Sequence, residues 1–358
     1  MIPFLRLTPG EDASDITAAI NRVIERGWFV LGPELEAFES EFAAAVSAKY
    51  AVGVGTGTDA IAIALRTLGI GPGDEVITSP VSAAYSALAI MMVGARPVFA
   101  DIDPQRLTMS ASAADAAVTP RTKALLPVHL YGQPADMRGL MEVAGSHNLA
   151  VIEDCCQAHL AASSGRPVGS FGVAAAYSFY PTKNLGALGD GGAITYNDAE
   201  LAAHAKRLRN GGQTDRYHHG EFGVNSRLDE MQAALLRARL TYLPRWTEQR
   251  RALARAYREA LADAAAILVP PECDPGHVYH LFPVLSATRE TVRERLKERG
   301  IETLIHYPVP IPRQPALASQ QPTDCPVADR VCNEVFSLPL YPTLTAAAIE
   351  QVASALTR

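Results

Sequence analysis

Two helical stripes of apolar side chains open the sequence. Ile16, Ile20 and Val23 recur at intervals of three and four positions, and Gly27 follows where the stripe stops. This spacing places the three side chains on one face of a helix, and glycine is a common helix terminator. The sequence therefore predicts two consecutive amphipathic helices, the second of which carries Leu35, Phe38, Phe42 and Val46.

Seven short apolar runs without polar alternation follow these helices. They are bounded by turn-forming residues, and segments of helical length separate most of them. Strands that are buried on both faces have this pattern in parallel sheets covered by helices on both sides. We therefore predict an α/β domain with a mostly parallel sheet, in which ligands bind at the carboxyl ends of the strands. The runs are AVGV, EVIT, PVFAD, ALLPVHL, LAVIED, AAAYSFY and GAITY.

The pattern changes in the last third of the chain. Residues 227–262 are largely helical, with an interruption near Pro244, and the remainder combines strand-like VYHLFPVLS and IETLIHYP with three helical segments. A chain of 358 residues is also too long for one small core. We therefore predict a large α/β domain over residues 1–243 and a smaller α+β domain over residues 244–358.

Composition and charge argue against several classes of protein. A formal net charge of -6 and a pI near 5.9 provide no basic surface for a nucleic-acid backbone. The most apolar stretch, YSALAIMMVGA, is about half as long as a bilayer-spanning helix, and the N-terminus lacks a secretory signal. Five cysteines at irregular spacing predict buried reduced thiols rather than a zinc site. We expect a cytoplasmic protein with neither nucleic acid nor membrane as a partner.

Three of the predicted strands end in polar or glycine-rich clusters. In GTGTDA, after the first strand, the backbone N–H groups of Gly57 and Thr58 suit a phosphate at a helix N-terminus, although a plain tight turn explains the same letters equally well. In LAVIED, Asp154 ends a strand, where a carboxylate caps a helix, binds a metal or pairs with a cationic ring nitrogen. In SFYPTKN, Lys183 follows an apolar run and precedes a stretch with almost no large side chains.

Each of these clusters has an ordinary structural interpretation as well. His159 lies near Glu153 and Asp154, but too few ligands converge for a metal site to be favoured, and we predict none. Lys183 is either an exposed loop residue or a desolvated lysine, whose lowered pKa makes the amine nucleophilic. Polar neighbours and a glycine-rich space for a flat ligand favour the second interpretation. Those neighbours are Ser178, Tyr180, Thr182 and Asn184.

Taken together, the three clusters resemble the sites of pyridoxal phosphate enzymes. Such sites combine a phosphate-binding turn, an acid that pairs with the pyridinium nitrogen, and a lysine that forms the Schiff base. Here the order along the chain is Gly57 and Thr58, then Asp154, then Lys183.

A series of longer motifs resembles the DegT/DnrJ/EryC1/StrS family of sugar aminotransferases. The resemblance runs from roughly Gly32 to the C-terminus, and its most specific motifs are SFYPTKN with GDGGA, and GVNSRLDE. It implies the aspartate aminotransferase-like fold type I of PLP-dependent transferases, and a homodimer with active sites at the subunit interface. The other matching motifs are GTGTDA, GPGDEVIT, GARPVFADID, HLYGQPADM, VIEDCCQAH, LRNGGQ, HYPVPIPRQPA and SLPLYPTLT.

The resemblance also implies roles for individual residues of the cofactor site. Lys183 matches the lysine that holds pyridoxal 5'-phosphate in a covalent Schiff base, and Asp154 matches the partner of the pyridine nitrogen. Gln157 matches a side chain that lies against the ring near its 3-hydroxyl. The phosphate ligands implied by the match are Gly57, Thr58 and Ser178, with Asn225 reaching the phosphate from the neighbouring subunit.

Further residues are assigned to the substrate by the same match. His306 and Tyr307, in HYPVP, face the nucleotide sugar, and Arg227 lies near Asn225 in GVNSRLDE. Tyr217, in RYHHGEFGVNSR, is also assigned to substrate binding. The ligands implied by the family are a nucleotide-linked keto sugar and an amino donor, glutamate or glutamine.

The chain departs from the family at one position. The family usually carries an aromatic residue that stacks on the cofactor ring shortly after its EVI strand, and the gapless match places Ala83 there. Tyr85, from the next turn, is the candidate replacement and the remaining substrate-site residue. The departure predicts a less tightly clamped ring or a larger substrate pocket.

The function implied is transfer of an amino group from glutamate or glutamine to a keto sugar linked to a nucleotide. SFYPTKNLGALGDGGAI with RYHHGEFGVNSR is more similar to enzymes that aminate carbon 3 than to those that aminate carbon 4, which remain an alternative. Lys183 argues against the family's dehydratases, which carry histidine at this position. Another alternative is a non-catalytic regulatory protein that binds PLP or a nucleotide sugar. A cysteine desulfurase would need a reactive loop cysteine, for which Cys325 is the candidate.

Overall fold

Helices and strands alternate along the computed structural model, which describes residues 1–320 and 324–357. Within these residues, short 3-10 helices span Leu130–Gly132, Ile311–Arg313 and Pro315–Gln320. The α-helices are α1 (Ala13–Arg26), α2 (Pro33–Ala45), α3 (Gly57–Thr67), α4 (Tyr85–Met92), α5 (Ala111–Ala116), α6 (Met137–His147), α7 (Ala199–Leu208), α8 (Glu230–Leu240), α9 (Leu243–Ala260), α10 (Arg289–Glu298), α11 (Pro326–Glu334) and α12 (Ala346–Thr357).

The strands form one large sheet and three short two-stranded ribbons. Each of the seven apolar runs found in the sequence overlaps one strand of the large sheet. The strands are β1 (Tyr50–Val54), β2 (Glu75–Thr78), β3 (Arg96–Phe99), β4 (Thr122–Leu126), β5 (Ala150–Asp154), β6 (Ala162–Ser163), β7 (Arg166–Pro167), β8 (Ala174–Ser178), β9 (Gly192–Tyr196), β10 (Gln213–Asp215), β11 (His218–His219), β12 (Phe282–Leu285) and β13 (Val335–Leu338).

The large sheet has the strand order β1-β9-β8-β5-β4-β2-β3. Strands β8, β5, β4, β2 and β3 pair in parallel, whereas β9 is antiparallel to both of its neighbours, so that β9 alone runs against the rest. A mostly parallel sheet with helices on both faces was predicted, and it is confirmed. Because β5 and β8 are adjacent and parallel, their carboxyl ends at Asp154 and Ser178 lie side by side.

A buried carboxylate holds the second N-terminal helix to α8. Glu230, at the start of α8, accepts hydrogen bonds from the backbone N–H groups of Gly32, Glu34 and Leu35 at 2.8–3.0 Å. These N–H groups belong to the first turn of α2 and have no partner within that helix. The contact fixes α2 against α8, and Phe38 and its neighbours then pack into the core under the sheet.

Separate apolar cores cover the sheet and the C-terminal part of the chain. One core packs α2 and α8 on the sheet, and another packs α3 and α7 on its opposite face. A further core is built from residues 253–356 together with Ile2 and Leu5 from the N-terminus. Ile2 bonds to this part through Gly300 and Glu302, so the first residues pack on the C-terminal region. The division at residues 243 and 244 stays a prediction.

One strand prediction in the C-terminal region is wrong. IETLIHYP does not form a strand, and the segment makes only isolated bridges, from Ile301 to Ile2 and from Leu304 to Ser337. Strand β12, within the predicted VYHLFPVLS, pairs instead with β13 in the antiparallel direction. HYPVP carries Pro308 and Pro310, and a regular ladder cannot continue through this end of the segment because proline lacks the N–H that it requires.

Two further predictions concern the membrane and the cysteines. In residues 1–320 and 324–357, no helix is long and apolar enough to cross a membrane. All five cysteines belong to this described part and are free thiols. Three of them, Cys155, Cys325 and Cys332, are buried, as expected for packed reduced cysteines.

Candidate active site

A cavity of about 570 Å³ lies at the carboxyl ends of β5 and β8. Its walls also include the first turns of α3 and α4 and the segment around residues 306 and 307. Nine of the twelve site residues predicted from the sequence line this cavity. They are Gly57, Thr58, Tyr85, Asp154, Gln157, Ser178, Lys183, His306 and Tyr307.

Asp154 presents a fixed carboxylate to this cavity. One of its oxygens accepts a hydrogen bond from Ser86 Oγ at 2.7 Å, and the other accepts from the backbone N–H of Cys156 at 3.1 Å. The residue is 4% exposed, so the carboxylate is almost entirely shielded from solvent. A buried acid held by two donors suits a cationic partner in the cavity, because an unpaired buried charge is costly.

Glu153, the neighbouring acid, points the other way. Its carboxylate accepts from the backbone N–H groups of Gly169, Phe171 and Gly172 at 2.7–2.8 Å, and His129 Nε2 lies 3.2 Å from it. Successive side chains of a strand point to opposite faces, which separates Glu153 from Asp154. The alternation assigns Glu153 to the support of a loop and Asp154 to the cavity.

His129, Glu153 and Cys155 come close enough together to be examined as metal ligands. His129 Nδ1 accepts a hydrogen bond from the backbone N–H of Ala135, so its Nε2 carries the proton and donates to Glu153. Burial, with the charge of Glu153 next, raises the pKa of the Cys155 thiol. A protonated thiol and a donating imidazole do not offer lone pairs to a metal, so this group fits a buried hydrogen-bond network.

Lys183 lies in a tight turn and lines the same cavity as Asp154. Its backbone N–H bonds to the carbonyl of Tyr180 at 2.8 Å, which fixes where the side chain begins. Burial lowers the pKa of Lys183, while Cys156 and Asp154 act in the opposite direction. The net lowering increases the fraction of neutral amine, which is the form that attacks a carbonyl.

The first turn of α3 forms a cradle with free backbone donors. Thr56 Oγ1 accepts from the backbone N–H of Asp59 at 3.0 Å, whereas the N–H groups of Gly57 and Thr58 have no protein acceptor within the described residues. A Cβ atom at Gly57 would lie 2.7 Å from Ser178 Cβ. Only glycine therefore lets the backbone approach this closely, and two N–H groups at a helix N-terminus suit an anion such as phosphate.

Gln157 connects the end of β5 to the segment around residue 307. Its Oε1 accepts from the backbone N–H of Tyr131 at 2.7 Å, and its Nε2 donates to the hydroxyl of Tyr307 at 3.1 Å. The Tyr131 hydroxyl in turn donates to the carbonyl of His306. Burial raises the pKa of Tyr307 to about 12, so its hydroxyl remains protonated near neutral pH. These contacts hold His306 and Tyr307 over the cavity.

Three histidines with lowered pKa values surround Lys183. Burial, followed by the charge of Lys183, lowers the pKa of His159 to about 3 and that of His306 to about 4, and lowers that of His280 well below its usual range. All three imidazoles are therefore neutral near neutral pH. His280 and His306 line the cavity, while His159 is enclosed by the rings of Phe42, Tyr177 and Phe179.

The structure brings residues into the cavity that sequence reasoning missed. Ser86 holds Asp154, and Asp190 and His280 line the wall. No local signal identifies Ser86 or His280, because each comes from a segment remote from β5. Asp190 and Cys156, by contrast, lie inside the quoted motifs GDGGA and VIEDCCQAH. The missed polar residues that line the cavity include Ser82, Ser86, Cys156, Asp190 and His280.

Three predicted residues do not line this chain's own cavity. Asn225 is exposed, and Arg227 donates to Asn210 Oδ1 at 3.0 Å. Tyr217 lies between β10 and β11 and is 78% exposed. The predicted contact of Asn225 with a phosphate across a subunit interface stays a prediction.

The position of the missing aromatic residue is open to the cavity. Ala83 lines the wall, and Tyr85 lines it from the start of α4. The Tyr85 side chain is 62% exposed, so the protein does not hold its ring in a packed position. A role for Tyr85 as the replacement clamp stays a prediction.

Residues 11–357 match the model of the DegT/DnrJ/EryC1/StrS aminotransferase family. The chain belongs to this family. The match begins some twenty residues before the point where the motifs first suggested it, because the N-terminal helix α1 is included. The family predicted from the motifs is confirmed.

Several relatives are similar over nearly their whole length. A dTDP-3-amino-3,4,6-trideoxy-alpha-D-glucose transaminase of Streptomyces venezuelae is 47% identical, over 96% of this chain and 92% of the relative. A UDP-N-acetyl-3-dehydro-alpha-D-glucosamine 3-aminotransferase of Acidithiobacillus ferrooxidans is 44% identical, over 96% and 93%. A protein of Geobacillus stearothermophilus named as a pleiotropic regulatory protein is 45% identical, over 92% and 90%.

Solved structures of the family have the same fold. The crystal structure of Streptomyces venezuelae DesV in complex with a ketimine intermediate superposes with a TM-score of 0.96 at 47% identity, covering 99% of this chain and 97% of that one. The structure of NtdA from Bacillus subtilis with bound cofactor PMP gives 0.93 at 32% identity, covering 99% and 84%. The predicted fold type I is confirmed.

Proposed function

We propose that the protein is a PLP-dependent aminotransferase that transfers an amino group from glutamate or glutamine to carbon 3 of a nucleotide-linked keto sugar. The observation that carries the proposal is the meeting of Asp154 and Lys183 in one cavity, at the ends of adjacent strands. Family membership supports the aminotransferase reaction. The names of two relatives, which specify a 3-amino sugar product and 3-aminotransferase activity, support carbon 3 over carbon 4.

The residues present fit pyridoxal 5'-phosphate. Gly57, Thr58 and Ser178 surround a space with two unpaired backbone donors, which suits the phosphate. Asp154, a buried acid, suits the ring nitrogen, and Gln157 borders the space between them. When bound, the cofactor supplies an aldehyde that condenses with amines and a ring that withdraws electrons from the attached carbon.

Lys183 has two tasks in this proposal. Its desolvated amine would hold the cofactor covalently, for which the neutral form is required. As a free amine, the same group would accept and return a proton at the α-carbon of the amino donor. A lysine in a tight turn at the cavity wall suits both tasks, because its base is fixed while its chain can swing.

Asp154 acts as the fixed counter-charge. Ser86 and the backbone N–H of Cys156 occupy one lone pair on each carboxylate oxygen, which orients the group. A carboxylate held in this way would keep the ring nitrogen of the bound cofactor protonated, and a protonated ring would supply an electron sink. The same groups serve both half-reactions, so ping-pong kinetics are expected.

The substrate side of the cavity is formed by Tyr85, His306 and Tyr307 in this proposal. We further propose a homodimer, in which Asn225, Arg227 and Tyr217 reach the cavity of the second copy. The exposure of Asn225 and Tyr217 on their own chain supports this arrangement, as do large apolar side chains left exposed. Those side chains include Trp28, Phe29, Leu188 and Phe222. The cytoplasmic location stays a prediction.

The experiment that tests this function is a panel of nucleotide-linked 3-keto and 4-keto sugars, each incubated with the protein and glutamate or glutamine. Mass spectrometry then detects replacement of the carbonyl oxygen by an amine. The expected result is amination of a 3-keto sugar by the native protein and none by Lys183→Ala, which should remain folded. Turnover by Lys183→Ala would overturn the role of Lys183. Exclusive amination of 4-keto sugars would overturn the assignment to carbon 3.

A non-catalytic regulatory protein is the second candidate, favoured by the open wall at Ala83 and by the name of one relative. A regulatory protein would bind a cofactor whose absorption spectrum does not change when glutamate is added. A spectrum recorded after the protein is mixed with glutamate therefore distinguishes a regulatory protein from an aminotransferase. A cysteine desulfurase is not supported, because Cys325 is buried and burial raises the pKa of its thiol to about 12.

A further inference from the structure

His280 lines the cavity without any role in the proposed mechanism. It is 6% exposed, and it lines the same cavity as Lys183. Its Nδ1 is 3.3 Å from Oδ1 of Asn184, the residue that follows Lys183 in the chain. The imidazole is thus tied to the turn that carries the lysine.

The hydrogen bonds around Asn184 decide which imidazole nitrogen carries the proton. Asn184 Nδ2 donates to the carbonyl of Val278 at 3.1 Å, and a carbonyl can only accept, so the amide orientation is fixed. Oδ1 of Asn184 therefore faces His280 and must receive a proton from Nδ1. In a neutral imidazole this leaves Nε2 as an acceptor with a free lone pair.

The surroundings keep that imidazole neutral. Burial lowers the pKa of His280, and the charges of Lys183 and Arg250 act in the same direction. Arg250 also donates to the backbone carbonyl of His280 at 3.4 Å, and His306 and His159 are further groups on this side. A protonated ring would repel every cation around it, so the acceptor form is the stable one.

We propose that His280 is a positioning residue for Lys183, whose Nε2 accepts an N–H of the lysine amine and so turns the amine's lone pair toward the reacting carbon. A free primary amine on a flexible chain has no preferred direction for that lone pair. Fixing one N–H removes most of this freedom, which is how a positioned group contributes to a rate. The inference rests on the proposed function, because His280 can position the amine for reaction only if Lys183 has the two tasks proposed above.

Two other acceptor side chains that line the cavity already take part in hydrogen bonds. Both oxygens of Asp154 already accept hydrogen bonds, and this acid faces the ring nitrogen in the proposed function. The Tyr307 hydroxyl accepts from Gln157. His280, by contrast, has no hydrogen bond at Nε2 within the described residues, and its anchor Asn184 directly follows Lys183 in the chain.

Two substitutions separate the acceptor from the structural hydrogen bond. His280→Asn retains a donor at the position of Nδ1, and so the bond to Asn184, but lacks the acceptor at Nε2. His280→Gln reaches the position of Nε2 with an amide oxygen and gives up the bond to Asn184. The two variants should therefore lose different properties.

The first readout uses the cofactor-free protein. Competitive acetylation with acetic anhydride across pH, followed by peptide mass spectrometry, measures the pKa of Lys183. Because an acceptor stabilises the ammonium form, His280→Asn should lower this pKa by about one unit relative to the native chain. His280→Gln should restore it, although its melting temperature should fall below that of His280→Asn.

The second readout uses the cofactor-loaded protein and glutamate in single-turnover experiments. We expect His280→Asn to slow the first half-reaction about 10- to 100-fold, with partial rescue in His280→Gln. An unchanged Lys183 pKa and rate in His280→Asn would overturn the inference. The inference would also be overturned if the loss of rate in both variants simply followed the fall in their melting temperatures.

Failure of the proposed function has a different signature. If borohydride reduction of the native protein leaves no pyridoxyl mass on the Lys183 peptide, the proposed function fails while the acetylation result still reports on His280. If the native protein carries that mass and His280→Asn behaves like it in both readouts, the inference alone fails.

Discussion

Gly57→Ala tests the phosphate cradle most directly. Gly57 begins α3, and an added Cβ would lie 2.7 Å from Ser178 Cβ and 2.9 Å from Cys156 Sγ. Ordinary van der Waals contact begins at 3.4 Å, so the first of these contacts is 0.7 Å too short. Ser178 Cβ is attached directly to the backbone of β8, and Cys156 follows the buried Cys155. The helix N-terminus must therefore move away from β8.

The magnitude follows from the hydrogen bonds that this shift disturbs. Donors that approach a phosphate at about 2.9 Å would retreat beyond hydrogen-bonding distance if they moved by the missing 0.7 Å. A hydrogen bond to a charged group contributes about 1.5–3 kcal/mol. Loss of one such bond should weaken the binding of pyridoxal 5'-phosphate about 10- to 100-fold. The fold itself should lose only about 1–3 kcal/mol from overpacking.

Equilibrium dialysis of pyridoxal 5'-phosphate against the cofactor-free variants measures this effect. Gly145→Ala is the matched control, because Gly145 lies in α6 and nothing is within 4 Å of its added Cβ. We expect the control to bind the cofactor normally and to be stabilised by about 0.5–1 kcal/mol. Native affinity in Gly57→Ala, with normal folding, would refute the assignment of this turn to the phosphate.

Two further predictions concern the subunit interface and acid stability. If Asn225 completes the site of a second copy, inactive Lys183→Ala chains and weakly binding Asn225→Ala chains should recover about a quarter of native activity when they are unfolded and refolded together. This fraction is expected because half the dimers are mixed and each mixed dimer has one intact site. No recovery would place both residues in one chain's site. Glu75 is 1% exposed, and although burial acts to raise its pKa, hydrogen bonds from Thr119 and Arg96 lower the pKa to about 2 from the usual 4.5. Since the folded value is the lower one, the stabilisation, at most about 3 kcal/mol, is present above pH 4.5 and is lost as the pH falls toward 2. Chemical denaturation from pH 6 to 3 should therefore show a steeper loss in the native chain than in Glu75→Gln, and equal slopes would contradict this reasoning.

Local pattern was sufficient for the strands of the large sheet but not for the C-terminal region. The seven apolar runs are strands because residues buried on both faces leave a continuous apolar signal. IETLIHYP carries a similar signal, yet it ends at Pro308 and makes only single bridges. Ser337, which receives one of these bridges, belongs to a strand whose partner could not be recognised from its own letters.

The site divides in the same way. Asp154 and Lys183 could be identified from the sequence, because an acid at a strand end and a lysine in a small-residue turn are unusual enough to indicate chemistry. Their supports could not. Ser86, which holds Asp154, and His280, which is tied to Asn184, come from segments distant in the chain, and only the packing of the sheet brings them to the cavity.

The sequence by itself determined the strands of the large sheet, the family and the two residues of opposite charge on which the proposed chemistry depends, since hydrophobic periodicity and short motifs are local properties. The tertiary structure alone decided that Glu153 supports a loop while Asp154 faces the cavity, which backbone donors remain free, and which imidazole nitrogen is an acceptor. These depend on hydrogen bonds between segments far apart in the chain, and such bonds exist only once the fold has placed donor and acceptor within about 3 Å of each other.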